Sequence, residues 1–216
     1  MTNNANPQIG RLPPCDVLQQ MYHDGYVVLP SGEKKRTTAG ISVESSRALC
    51  SLVLREAPKV AVEIGMAQGF STLSILCALA QSGGRLISID PYTNWKSGRE
   101  AALYSIKRAG FADHHTLMEE ESHRALPRLL DQGLQVNFAY IDGNHSFEHA
   151  FVDFFYSDRM LSKGGIVGFN DAGWPSVYRV IRFLQKQRRY AEVDAGLRAD
   201  YSARNLALSL ARRLLR

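Results

Sequence analysis

Residues 59–71, KVAVEIGMAQGFS, constrain this 216-residue chain more than any other segment. A short apolar run from Val60 to Ile64 ends in a glycine-spaced turn, Gly65-x-x-x-Gly69, and an apolar helical pattern follows over residues 72–80. The order strand, glycine loop, helix places unpaired helix N–H groups at the carboxyl end of a strand. Open α/β sheets bind nucleotide-like ligands there. The loop is neither the dinucleotide fingerprint G-x-G-x-x-G nor a P-loop ending in Gly-Lys-Ser/Thr. Glu63 stands just before the first glycine, where a carboxylate repels phosphate. It suits a cationic group, such as the amino group of a sulfonium-bearing amino acid. An ordinary tight strand–helix turn would produce the same pattern.

From residue 59 onward strand and helix patterns alternate. Strands are expected at Val60–Ile64, 85–90, His115–Met118, Val136–Ile141 and 165–169, with helices at 71–81, 98–109, 122–132, 147–161 and 175–187. A further helix is expected over 43–57. Short, nearly continuous apolar strands separated by helices imply parallel pairing through right-handed crossovers, with both sheet faces covered. At the tail, Leu206, Leu208 and Leu210 alternate as in a strand, while Leu206, Leu210 and Leu214 fit a helix. The favoured reading is a last antiparallel strand running into a short basic helix. Residues 1–40 are loop-rich and match no motif; they form an N-terminal extension, a lid or an oligomer contact, ahead of a main domain at 41–216.

The length suits one domain with a proper core. Hydrophobic residues at 45% and charged residues at 22% are those of a soluble globular protein. No apolar run approaches the roughly 20 residues that cross a bilayer, and the first ten residues lack the basic flank and apolar core of a secretory signal. Cys15, Cys50 and Cys77 are odd in number and lack metal-ligand spacing, so they read as reduced thiols in a cytoplasmic protein. The net charge is +5, and much of the excess falls late, at Arg179, Arg182, Lys186 and further arginines between 188 and 216. A solvated basic face and an acidic or nucleic-acid partner both fit that cluster.

Carboxylates recur where strands are expected to end. Asp90 ends the second strand, placed to accept both ribose hydroxyls of an adenosine moiety or to cap a turn with Pro91. Asp142 and Asp171 follow the fourth and fifth strands. Two carboxylates at neighbouring strand ends repel one another unless a cation sits between them, and Mg²⁺ is the natural bridge, with Asn170 or Asn144 adding a carbonyl oxygen. His145 suits the removal of a proton from a hydroxyl near neutral pH; capping of the following helix is the alternative. His145 to His149 also match H-x-x-E-H, an inverted zinc-protease pattern. That pattern needs both histidines within a helix, and the first here follows an Asp-Gly turn. The glycosylation acceptor pattern at Asn144 has no meaning without export.

In these motifs the chain resembles the class I S-adenosylmethionine-dependent methyltransferases. Val62-Glu63-Ile64-Gly65 with Gly69 resembles their first motif, and Leu86 to Asp90 their acidic second-strand end. Tyr140 to His145, followed by Leu161 to Val167, is similar to the small O-methyltransferase branch that includes catechol O-methyltransferase and its bacterial relatives. The resemblance covers roughly residues 40 to 195. It implies an α/β fold, a Rossmann-like doubly wound, mostly parallel seven-stranded sheet with helices on both faces. It implies that Glu63, Gly65, Met66, Ala67 and Gly69 hold the methionine part of S-adenosylmethionine, with Ser71 supporting its carboxylate. Asp90 would bind the ribose, Ser122 and His123 would contact the adenine, and Asp142 would lie against the cofactor. Asp142, Asp171 and Asn170 are the metal ligands so implied, and His145 with Asp142 the deprotonating pair. Two positions depart from the family pattern: Ala172 stands where the third metal ligand is an Asn, and His145 where the base is a lysine.

The implied activity is methyl transfer to a hydroxyl of a small phenolic or sugar-like molecule, in a cytoplasmic protein, possible as a homodimer. Tyr92, Trp95 and Trp174 are candidate aromatic walls for that acceptor, or covers for the sheet edge. Two other classes stay in view. An NAD-dependent reductase is opposed by the loop sequence and Glu63. A nucleic-acid methylase or binding protein would use the basic C-terminal segment, but aromatic residues are not interleaved with its arginines.

Overall fold

The computed structural model describes residues 13–186 and 190–196, together with the backbone of 209–213. The N-terminal part folds as α1 (Asp16–Asp24) and a hairpin of β1 (Tyr26–Val28) and β2 (Lys34–Arg36). Then come α2 (Val43–Glu56), β3 (Val60–Ile64), α3 (Phe70–Ser82), β4 (Arg85–Ile89), α4 (Lys96–Arg108) and β5 (His115–Met118). The second half holds α5 (Ser122–Asp131), β6 (Val136–Ile141), α6 (Phe147–Met160), β7 (Leu161–Phe169), α7 (Pro175–Lys186), β8 (Tyr190–Glu192) and β9 (Ser209–Arg213).

The main sheet runs β5-β4-β3-β6-β7-β9-β8. Its parallel part numbers five strands, from β5 to β7, and β9 and β8 close one edge in antiparallel fashion. An antiparallel strand is present as β9, over Ser209–Arg213 rather than on the Leu206–Leu210 alternation that pointed to it. Arg212 and Arg213 therefore fall in the strand and not in a following helix; residues 1–12, 197–208 and 214–216 lie outside the described residues. β7 starts four residues earlier than its apolar run, because Leu161 pairs with Val136 before an irregularity that shifts the register to Ile166 opposite Phe138.

Side chains alternate across the strands, and this divides the core in two. Phe138, Tyr140 and Ala61 pack with α1, α2 and α3 on one face. Ala139, Ile141 and Val62 pack with α5, α6 and α7 on the other. Residues 13–40 are built into the first of these cores through Leu18, Met21 and Val27 rather than standing apart from it. Cys15, Cys50 and Cys77 are buried free thiols in that layer. No helix among the described residues is long and apolar enough to cross a membrane.

The chain enters β3 and leaves toward β4 on one side, then returns to β6 on the other. The sheet order thus reverses between β3 and β6, and the crevice outside their carboxyl ends is the place where such a sheet takes a ligand. Each strand's hydrogen-bond ladder extends one residue beyond its end: Gly65 N–H to Ile89, Asp142 N–H to Ile64, and Asn170 N–H to Ile141, at 2.9, 2.8 and 2.9 Å. Asp90, Gly65, Asp142 and Asn170–Asp171 consequently stand side by side along one edge of the sheet.

Candidate active site

The glycine loop is shaped by what its backbone must approach. Gly65 has φ of +87°, and a Cβ there would lie 2.1 Å from the carbonyl oxygen of Asp142, so only glycine fits. Gly69, also at φ +87°, is the N-cap of α3. Between them Met66 and Ala67 donate their backbone N–H groups to Oδ2 of Asp90, both at 2.9 Å. Oδ1 of Asp90 accepts from the N–H of Tyr92, whose hydroxyl donates to the carbonyl of Ala67 at 2.7 Å. Asp90 thus holds the loop in a turn, and Oδ1 retains lone-pair capacity for a further donor.

Glu63 occupies a different position from the one its sequence context suggested. It is fully buried beneath α3, and its two oxygens accept hydroxyl hydrogens from Ser71, Thr72 and Ser88 at 2.6, 2.8 and 2.7 Å. Ser71 and Thr72 lie in the first turn of α3, where the helix dipole also favours a carboxylate. Burial nevertheless dominates and raises the Glu63 pKa from 4.5 to about 7. Its partners are inside the protein, so it lines neither of the cavities described next.

Two cavities meet at this sheet edge. The larger, about 410 Å³, runs from Gly65 and Ala67 past Asp90, Tyr92 and Trp95 to Ser122. The smaller, about 260 Å³, is bounded by Met66, Phe70, His145, Asn170 and Asp171, with residues 38–41 as its outer wall. Gly65, Ala67 and Asp142 border both. Of the residues implied by the resemblance, Ser71 faces the smaller cavity, while Gly69 and the exposed His123 border neither. Tyr92 and Trp95 are brought to the larger cavity and not beside Asp171, because β4 and β7 lie on opposite sides of the β3–β6 pair.

The smaller cavity holds the acidic centre. Donor atoms of Asp142, His145 and Asp171 all lie within 4.8 Å of one another. The Nε2 of His145 is 2.7 Å from Asp171 Oδ2 and 3.7 Å from Asp142 Oδ1, and its N–H points squarely at neither. These two carboxylates raise the His145 pKa to about 9, against the effect of burial. Burial, reinforced by Asp171, raises that of Asp142 to about 6, while His145 and the Asn170 amide oppose the shift. Asn170 Nδ2 donates to Asp142 Oδ1 at 3.0 Å. Asp171 adopts φ of +50°, a conformation Asp tolerates better than most residues. The ring of Trp174 lies 5.2 Å from that of His145, centroid to centroid, and is exposed.

Asn170 Oδ1, Asp171 Oδ1 and His145 Nε2 are buried without a hydrogen-bond partner. Buried oxygens left unsatisfied are costly, and the two oxygens of Asn170 and Asp171 fit a cation held by oxygen ligands, whereas His145 Nε2 lies 2.7 Å from a carboxylate. Asp142, Asp171 and Asn170 are the residues whose oxygens could hold such a cation, with His145 alongside. Ser146, not His145, caps α6, accepting from the N–H of His149. His149 lies inside the helix with Nδ1 on the Ser146 hydroxyl at 2.8 Å, so the two histidines of the H-x-x-E-H pattern do not converge. Sequence reasoning passed over Gln68 and over Asp153, a buried carboxylate on α6 behind Gly143. Neither carries a motif signal; only their burial marks them. Arg179, Arg182 and Lys186 are exposed on α7, and the later arginines lie outside the described side chains.

Residues 62–172, more than half of the chain, match the family described as a methyltransferase domain. An Arabidopsis thaliana protein provisionally named a caffeoyl-CoA O-methyltransferase is 30% identical over 135 residues, 62% of this chain and 55% of that one. The caffeoyl-CoA O-methyltransferase of Populus kitakamiensis is 26% identical over 140 residues, again 62% and 55%. The chain therefore spans about half the length of these relatives. Among solved structures, a Bacillus cereus O-methyltransferase in complex with SAH (S-adenosylhomocysteine) superposes with TM-score 0.69 at 15% identity, covering 93% of this chain and 89% of that one. A Streptomyces achromogenes O-methyltransferase involved in tomaymycin synthesis, in complex with SAM, gives 0.68 at 17%, covering 93% and 88%. The chain belongs to the methyltransferase-domain family, on a fold shared with solved small O-methyltransferases.

Proposed function

We propose that this protein transfers a methyl group from S-adenosylmethionine to a hydroxyl of a small molecule, phenolic or sugar-like. The observation that carries the reading is the meeting of two cavities at Gly65, Ala67 and Asp142. One is lined by the glycine loop and Asp90, the other by two carboxylates and a histidine. The glycine loop and Asp90 would hold the cofactor in the larger, and the smaller would take the acceptor, so that the two meet at the shared residues Gly65, Ala67 and Asp142. The names of the relatives and of the solved neighbours support transfer to oxygen.

In the reaction the acceptor oxygen attacks the methyl carbon in line with the departing sulfur. The C–O bond forms, the C–S bond breaks, sulfur keeps the electron pair, and the hydroxyl proton leaves. Holding the nucleophile about 3 Å from the carbon supplies much of the acceleration. Asp90 holds the ribose and the loop, and Ser122 borders the adenine end. His145 takes the hydroxyl proton in its neutral form, which the flanking carboxylates of Asp171 (2.7 Å) and Asp142 (3.7 Å) hold back until about pH 9. Asp142, Asp171 and Asn170 would hold a divalent cation, which when bound lowers the pKa of a coordinated hydroxyl and fixes its direction.

The test is transfer of label from methyl-labelled S-adenosylmethionine to a panel of small phenols and sugars, with RNA as a separate arm. Labelling of a phenol or sugar at oxygen, lost in Asp171→Asn, is the expected result. Labelling of RNA alone, or of nitrogen acceptors alone, would overturn it.

A further inference from the structure

We propose that Gln68 is the positioning residue through which the cofactor loop fixes the wall of the acceptor cavity. The proposal rests on placing the cofactor in the larger cavity. Gln68 lies in the turn between β3 and α3 and is 3% exposed. Its Oε1 accepts from the backbone N–H groups of Thr38 at 2.8 Å and Ala39 at 3.1 Å. Its Nε2 donates to the carbonyl of Arg36 at 3.2 Å. The orientation of the amide follows from these partners, since two N–H groups require its oxygen and a carbonyl requires its nitrogen.

Thr38 and Ala39 belong to the outer wall of the smaller cavity, on a stretch with neither helix nor strand to hold it. A neighbouring contact secures the same stretch. Gly40 lies so close to the ring of Phe70 that a Cβ would stand 2.6 Å from Cδ2. Gln68 and Phe70 flank Gly69, so the wall is anchored on the loop and on the first residue of α3. The loop is in turn held by Asp90 through Met66 and Ala67. Whatever engages Asp90 therefore bears on the segment that carries Gln68. One buried amide links the occupant of the first cavity to the shape of the second, and cofactor binding sets the acceptor wall before the acceptor arrives.

The experiment is residue-resolved amide exchange on wild type, Gln68→Leu and Gln68→Glu, with and without S-adenosylhomocysteine, alongside calorimetric titration of the same ligand. Without ligand, Gln68→Leu should raise exchange at Thr38 and Ala39 at least about tenfold, since all three hydrogen bonds of the Gln68 amide are lost. The amides of β3 and β6 should keep their wild-type rates. With ligand, Thr38 and Ala39 should slow in wild type and in Gln68→Glu, whose carboxylate still accepts both N–H groups. In Gln68→Leu the ligand should bind without slowing them. Equal slowing in Gln68→Leu and wild type would overturn the coupling, and unchanged ligand-free exchange would overturn the clamp. If Gln68→Leu does not fold, loss of the ligand effect in Gln68→Glu overturns the proposal. If wild type binds no ligand, the cofactor placement and the coupling fail together, while ligand-free exchange still reports the clamp.

Discussion

Gly65 and Asp142 touch across the β3–β6 boundary, where a single methyl group at residue 65 would lie 2.1 Å from the Asp142 carbonyl oxygen. This approach joins the loop of one cavity to the acid of the other. The obstructing atom is backbone, so no rotamer change relieves it, and φ of +87° adds strain for any other residue. Gly65→Ala should cost more than about 3 kcal/mol, combining clash and backbone strain. Chemical denaturation checks this; a midpoint equal to wild type would show that the two strand ends separate freely.

Glu63 makes stability depend on pH. Burial raises its pKa from 4.5 to about 7, so between those values the folded protein keeps a proton that the unfolded chain has released. Stability therefore falls as pH rises through that window, by on the order of 3 kcal/mol for this group. Glu63→Gln should flatten the fall. Asp142 and Asp153, each raised to about 6 chiefly by burial, and His145, raised to about 9 by its carboxylate neighbours, add slopes of the same sign. His115, lowered to about 4 by burial, adds one of opposite sign below about pH 6.5. Urea midpoints at several pH values between 5 and 8 measure it. An unchanged slope in Glu63→Gln would remove Glu63 from the account.

Asp171 borders only the smaller cavity, so its loss separates chemistry from cofactor binding. Asp171→Asn keeps the shape and removes the charge. Turnover should fall about 100-fold, and any stimulation by Mg²⁺ should vanish. Affinity for S-adenosylhomocysteine should stay within about threefold, a difference below 1 kcal/mol. Initial rates and calorimetry on one preparation decide it; equal turnover would place the acceptor elsewhere.

The sheet was legible in the sequence because each parallel strand is an apolar run bounded by turn residues, and Val60–Ile64, His115–Met118 and Val136–Ile141 form as expected. The row of acids was legible for the same reason, since Asp90, Asp142 and Asp171 each follow a strand. The partners of Glu63 were not, because Ser71, Thr72 and Ser88 are ordinary residues until the fold brings them together. Neither was the early start of β7, where pairing with Val136 overrides two glycines, Gly164 and Gly165. Gln68 showed no sign either. Its partners lie about 30 residues upstream and are backbone groups, which no sequence pattern records.

Asp90 stands at the centre of the account, because the same carboxylate holds Met66 and Ala67 and faces the larger cavity. The most direct measurement is calorimetric titration of wild type and Asp90→Ala with S-adenosylhomocysteine, with and without Mg²⁺. The account predicts micromolar binding by wild type and a loss of at least about 100-fold in Asp90→Ala, which removes one charge-assisted hydrogen bond to the ligand and the two that hold the loop at Met66 and Ala67. Absence of binding by wild type, or equal binding by both proteins, would contradict it.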